Sequence, residues 1–271
     1  MKKRMNKTLA IVLLTLMVVT AMLFVPACGG RNSEEEDDPG PKFIAHRGYG
    51  GGNYVDNTEE AFRAAAEMNF YGIETDIRKT KDGYFVCNHD ASVEYADGTE
   101  KKIASTDRAA LVSSPIKNEV TTRNAYLCTF ETYLRACKEG KKVAIIELKD
   151  YFNKNEIVQI LNVIDAEYDR KHVCFISFIY APLLLLQKED SSIELQYLSQ
   201  TEGDSRFESC LKDGLSISVR YTILTEELEQ TFHDAGLKVG VWTVNDGAIL
   251  QKAYQMGVDY ITTDVFDGDA A

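Results

Sequence analysis

The sequence predicts a single TIM-type (β/α)8 barrel with a small insertion after the second strand and a truncated or absent last helix. Three observations predict it. From Lys42 onward, apolar runs of strand length alternate with segments of helical period. Eight such units fit into about 230 residues, close to the size of one barrel. The alternative is a doubly wound open sheet, but no dinucleotide-type loop follows the first strand. Gly48, Gly50, Gly51 and Gly52 read instead as a flexible connection to the first helix.

The elements follow in order. The first strand is Phe43–Arg47, and the first helix Thr58–Met68, capped by Asn57 or Thr58 with Glu60 as the partner three residues after Asn57. The second strand is read as one run, Gly72–Ile77 continuing through Tyr84–Asn88, bent at Asp82-Gly83. Ala91–Ala125 is polar and weakly periodic, so it is the insertion. Helix Thr129–Lys138, strand Val143–Leu148 and helix Glu156–Tyr168 follow, then strand Val173–Phe178 and helix Ala181–Lys188. Strand Glu194–Leu198 leads to helix Ser205–Lys212, and strand Leu215–Val219 to helix Thr225–Ala235. Strand Val239–Val244, helix Gly247–Met256 and strand Tyr260–Thr263 complete the set. Gly236 and Gly257 stand where C-caps belong.

Before the barrel come a basic stretch, Met1–Lys7, and an apolar run from about Leu9 to Ala27. Val25-Pro26-Ala27-Cys28 has the layout of a lipobox, so residues 1–27 read as a signal peptide and Cys28 as a lipid anchor. An uncleaved signal anchor is the alternative. Either way the domain lies on the outer face of a bacterial cell membrane, held by lipid or anchor. Residues 28–41, with the acidic run Glu34–Asp38 and Pro39-Gly40-Pro41, read as a flexible tether, and 42–271 as the barrel domain.

The net charge is -12. Residues 1–27 carry four basic side chains and no acid, so cleavage there lowers the charge by four, to -16. A body this acidic does not suit nucleic acid, and it repels anionic substrates unless local cations reverse the field. Nothing in the sequence implies a protein partner. Cys87, Cys128, Cys137, Cys174 and Cys210 are five in number and irregularly spaced, which is neither a disulfide framework nor a zinc site. They read mostly as small buried residues, with room for one disulfide.

Functional residues of a barrel gather at the C-terminal strand ends. His46-Arg47 ends the first strand, and His89 ends the continuation of the second. Glu74 and Asp76 are two apart and share a face, as do Glu147 and Lys149. Carboxylates inside buried strands are costly unless paired or metal-bound, so Glu74, Asp76 and Glu147 read as a metal site. All-oxygen ligands suit Ca²⁺, Mg²⁺ or Mn²⁺ rather than zinc. His46 and His89 are further ligands or, in the preferred reading, acid and base, because imidazole titrates near neutral pH. Arg47 suits phosphate oxygens, or a structural pair with one of the carboxylates. His172 and His233 read as structural.

The chain resembles the glycerophosphodiester phosphodiesterase family. The resemblance rests on Ala45-His46-Arg47-Gly48, Asp56-Asn57-Thr58 and Gly72–Ile77, then Lys81-Asp82-Gly83 and Asn88-His89-Asp90. It continues through Ile146–Lys149, Gly240–Asn245 and Gly257–Asp264, in that order over most of the chain. It implies a divalent cation on Glu74, Asp76 and Glu147, and His46 and His89 as the acid–base pair. It also implies that Arg47 and Lys149 contact phosphate or brace the carboxylates. Trp242 falls at the barrel mouth, packing on the substrate, or in the core. The activity implied is metal-dependent hydrolysis of a glycerophosphodiester to glycerol 3-phosphate and an alcohol. A phospholipase-like cleavage of lysophospholipids or phospholipids is the alternative on the same barrel, and a non-catalytic phosphate-ester-binding lipoprotein is the alternative of another class. The sequence departs from the family at Asp56, where Glu is usual, and lacks the usual proline after Asp264.

Overall fold

Apolar parallel strands need both faces covered, and here the sheet closes on itself and is wrapped by helices. The computed structural model describes residues 40–270 apart from Gly52; the expected signal peptide, Cys28 and nearly all of the tether lie outside the described residues. The order begins β1 (Lys42–Ala45), α1 (Glu59–Glu67), β2 (Gly72–Lys79), β3 (Phe85–Cys87), β4 (Ser92–Glu94) and β5 (Glu100–Lys102). It continues α2 (Arg108–Leu111), β6 (Cys128–Thr129), α3 (Phe130–Gly140), β7 (Val143–Leu148), α4 (Lys154–Glu167), β8 (Val173–Ser177) and α5 (Tyr180–Glu189). It ends β9 (Glu194–Ser199), α6 (Arg206–Asp213), β10 (Ser216–Arg220), α7 (Glu226–Asp234), β11 (Val239–Trp242), α8 (Gly247–Gln255) and β12 (Tyr260–Thr263). Eight strands, β1, β2 and β7 to β12, form a closed parallel ring, because β1 pairs with both β12 and β2.

Period-two alternation sorts each ring strand into two faces. On β2, Ile73 and Ile77 pack outward in the main core, with Phe62 of α1 and Leu134 of α3. Glu74 and Asp76 alternate with them and so face the barrel interior. The interior holds a smaller apolar cluster that includes Ile44, Ile145, Cys174, Ile176, Leu198 and Tyr260. The sheet's inner face is therefore apolar in part, with buried carboxylates on one side.

The ring strands and most helices lie within a few residues of their expected bounds, but three expectations need correction. Gly72–Asn88 is not one bent strand. The chain reverses between Thr80 and Tyr84, where Gly83 has φ +82°, and β3 returns antiparallel to β2 outside the ring. β1 stops at Ala45, and His46-Arg47 form the turn after it. Thr58, not Asn57, caps α1 by accepting the Ala61 N–H, so the box with Glu60 does not form.

The insertion follows the β2–β3 hairpin and has its own core, including Val93, Tyr95, Ile103, Leu111 and Leu127 against Val86 of β3. These residues come singly from very short elements, so they leave no period in the sequence. Past β12 the described residues carry only a single 3-10 turn, Gly268–Ala270, in place of an eighth helix. The five described cysteines are free and buried. Among the described residues no helix is long and apolar enough to cross a membrane.

Candidate active site

The register of β2 on β7 puts Asp76 beside Glu147, with Glu74 one pleat below on the same inner face. Glu74 is 2% exposed, Asp76 1% and Glu147 8%. One oxygen from each lies within 4.8 Å of the others. Among the described residues this is the one such group of metal-type donors.

The turn after β1 supplies the countercharge. Arg47 has φ +54°, which aims its backbone N–H at Glu74 Oε2, 2.8 Å away. Its guanidinium lies 3.4 Å from Asp76 and 3.6 Å from Asp56, so the shorter acid at position 56 still reaches it. Gly48 follows at φ +82°, and a Cβ there would stand 2.7 Å from the Ala61 backbone, so glycine lets this turn pack against α1. Asn57, also left-handed at φ +57°, donates to Asp76 Oδ2 at 2.8 Å and accepts from the Thr75 hydroxyl at 2.7 Å. From just past β7, Lys149 Nζ lies 2.9 Å from Glu147 and 3.4 Å from Asp76.

Burial and the neighbouring Asp76 and Glu147 hold Glu74 well above the usual carboxylate range. Burial, with Asp76 beside it, pushes Glu147 up to about 7. Burial acts on Asp76 in the same sense, but Arg47 and Lys149 overcome it and hold the group below its ordinary value.

The two histidines arrive from different directions. His46 is tied to β12 by its N–H to the Thr263 carbonyl, and its Nδ1 lies 2.8 Å from Asp264 Oδ1. The Asn245 amide donates to the other Asp264 oxygen and its carbonyl accepts the Asp264 N–H. Burial works against the Asp264 carboxylate, but the His46 bond keeps it below its ordinary value. It is therefore an acceptor, which places the proton on His46 Nδ1 and leaves Nε2 for chemistry. His89 comes on the loop after β3, beside β2, where the Asn88 N–H reaches the Asp76 carbonyl at 2.9 Å. Its Nδ1 lies 2.8 Å from Asp90.

A cavity of about 340 Å³ opens among these groups. His46, Arg47, Glu74, His89, Glu147 and Lys149 line one side, and Ile176, Phe178, Leu198 and Trp242 another. Asp76 lies behind the lining, against Arg47 and Lys149. Trp242 is thus a cavity residue; its Nε1 donates to the Ser218 carbonyl at 3.1 Å, and Phe178 meets its ring edge-on at 5.6 Å. His233 is held by Glu229 and Asp259, and His172 packs on Tyr168, both away from the cavity as expected. A larger cleft of about 800 Å³, between α1 and the insertion, contains none of the groups discussed so far as chemically active.

Every candidate from β1 to β12 therefore converges on one mouth. Asn57, Asp90 and Asp264 lie inside the quoted motifs, but the sequence assigns none of them a role in the site. Phe178 carries no sequence signal, because a lone aromatic past a strand end looks the same in a core or on a rim. The donor set fits a hard divalent cation: three buried carboxylates converge, and Asp76 Oδ1 has no hydrogen-bond partner.

The model of the glycerophosphoryl diester phosphodiesterase family matches residues 46–268. A glycerophosphodiester phosphodiesterase of Bacillus altitudinis is 26% identical over 243 residues, covering 83% of this chain and 95% of that protein. A lysophospholipase D of Mus musculus is 28% identical over 148 residues, covering 49% of this chain and 43% of that protein. A crystal structure of a glycerophosphodiester phosphodiesterase from Parabacteroides distasonis superposes with a TM-score of 0.70 at 26% identity, covering 83% of this chain and 93% of the other. Given a family match that spans most of its length, the chain belongs to the glycerophosphoryl diester phosphodiesterase family.

Proposed function

We propose that this protein hydrolyses glycerophosphodiesters to glycerol 3-phosphate and an alcohol, with a divalent cation and two histidines. The observation that carries the reading is the single cavity in which two imidazoles and two basic side chains meet buried carboxylates. Glu74, Asp76 and Glu147 would hold the cation, which supplies positive charge to a phosphoryl oxygen. Arg47 and Lys149 orient the phosphate and offset the body's negative field. One histidine removes the proton from the attacking oxygen, water or the substrate's own 2-hydroxyl, and the other protonates the departing alkoxide. Asp264 and Asp90 fix the ring orientations through Nδ1.

The test follows glycerol 3-phosphate release from glycerophosphocholine after EDTA treatment, with Ca²⁺, Mg²⁺ or Mn²⁺ added back. Release restored by an ion supports the reading, and the preferred ion identifies the cofactor. A folded protein that releases nothing with any ion, from this or other glycerophosphodiesters, removes it.

A second reading is cleavage of lysophospholipids, favoured by the apolar wall of Ile176, Phe178, Leu198 and Trp242. Such a wall takes an acyl-bearing substituent as readily as a glycerol carbon skeleton. Choline release decides it, since lysophosphatidylcholine would leave an acylated glycerol 3-phosphate: release faster than from glycerophosphocholine favours this reading.

The basic and then apolar N-terminus supports export and retention at the outer face of the membrane through Cys28. A Cys28→Ser chain is expected to leave the membrane fraction for the soluble one, or to accumulate uncleaved. Unchanged processing and membrane retention would count against the lipid anchor.

A further inference from the structure

We infer that Arg78 is a positioning residue for the proposed reaction: its guanidinium fixes the His89 loop to the loop that carries Lys149. The inference rests on the acid–base reading above. The three carboxylates stand on ring strands and are held by the barrel itself. The His89 loop shares that support through one backbone bond, the Asn88 N–H to the Asp76 carbonyl at 2.9 Å. His89 lies past β3, outside the ring, and its imidazole pairs with Asp90 of the same loop, which cannot fix the loop to the barrel.

Arg78 adds a link at His89 itself. It stands on β2 two residues after Asp76, and its side chain is 13% exposed. Its Nε and one terminal nitrogen both donate to the His89 carbonyl, at 3.0 and 2.6 Å. The other terminal nitrogen donates to Asp150 at 2.7 Å. Asp150 follows Lys149 directly, and its second oxygen accepts the Lys79 N–H at 3.0 Å. One planar fork thus holds two catalytic-side loops at a set separation. A lysine ammonium has no planar fork to match that geometry. Displacement of His89 by about an ångström is enough to cost ~10²-fold in rate.

The test uses the full-length protein with Arg78→Gln and Arg78→Lys, each in the parent and in a His89→Ala background. Arg78→Gln is expected to lower kcat by ~10–100-fold. The ion concentration for half-maximal activity and inhibition by glycerol 3-phosphate are expected to stay within about two-fold, because the carboxylates stand on ring strands and the Lys149 N–H has its own tie to the Ile77 carbonyl of β2 at 3.4 Å. Arg78→Lys is expected to lose less. In the His89→Ala background the effect of Arg78→Gln is expected to shrink to about two-fold, since both changes act through one group. If Arg78→Gln does not fold, Arg78→Lys carries the same comparison.

Three results overturn the inference. They are parental kcat in the Arg78 variants, an equal weakening of ion and product binding, and the same fold-loss with and without His89. Parental turnover in His89→Ala would sink the acid–base reading itself. Parental turnover in Arg78→Gln beside a crippled His89→Ala would sink the positioning role alone.

Discussion

His46→Ala and His89→Ala are each expected to lower turnover by ~10²–10⁴-fold, the usual contribution of one positioned proton-transfer group. Both side chains reach the cavity, so truncation removes a reacting group rather than a core contact. Folding should survive, because His46 and His89 are both only part-buried. Steady-state kinetics at saturating ion, with a melting curve for each variant, checks the point. The two losses should be far from additive in the double variant if the histidines act in one concerted proton transfer. Turnover within a few-fold of the parent, in either single variant, would remove that histidine from the mechanism.

The second large effect is expected at Glu74. Its burial and its two acidic neighbours already favour the neutral carboxyl when no ion is bound, and glutamine is the neutral shape of that group. Glu74→Gln should therefore melt close to the parent in EDTA. It should nevertheless lose most of its response to added ion, because a charged donor is gone. Turnover should fall by ~10²-fold or more, in line with the several kcal/mol that a bound cation supplies to a reacting phosphoryl group.

The parent's own response to ion should depend on pH. Glu147 is raised from 4.5 to about 7 in the fold. A carboxyl raised in this way stabilises the fold below its unfolded value, and the contribution is lost as pH rises through the folded value. The EDTA-treated protein should thus weaken between about pH 5 and 8 from this group, while an ion that takes the ionised carboxylates offsets the loss. The ion-induced rise in melting temperature should be larger at about pH 8 than at about pH 5. Equal rises at both pH values, or a full response in Glu74→Gln, would exclude these carboxylates as the ion's ligands.

What could be read from the sequence depended on how local each signal was. Val143–Leu148 and Tyr260–Thr263 were legible to the residue, because an unbroken apolar run in a parallel barrel has few other fates. The carboxylates of β2 and β7 were legible because charges in such runs are costly without a partner. The reversal between β2 and β3 reads only as a bend in the sequence, since Asp82-Gly83 marks a change of direction without stating its angle. The sequence leaves Asn57 and Thr58 both open as the cap of α1; Thr58 takes it, while the Asn57 amide bridges to Asp76.

The sequence by itself determined the ring of eight strands, the insertion, the buried acidic triplet and the two histidines, because periodicity, burial cost and motif spacing are properties of short segments. Only the tertiary structure decided which residues hold those groups in place. Asp264 reaches His46 across 218 positions, Asp150 reaches Arg78 across 72, and Phe178 meets Trp242 from another strand end. Such partners are chosen by strand register and loop path, which depend on the closure of the whole barrel and leave no trace in any local stretch of sequence.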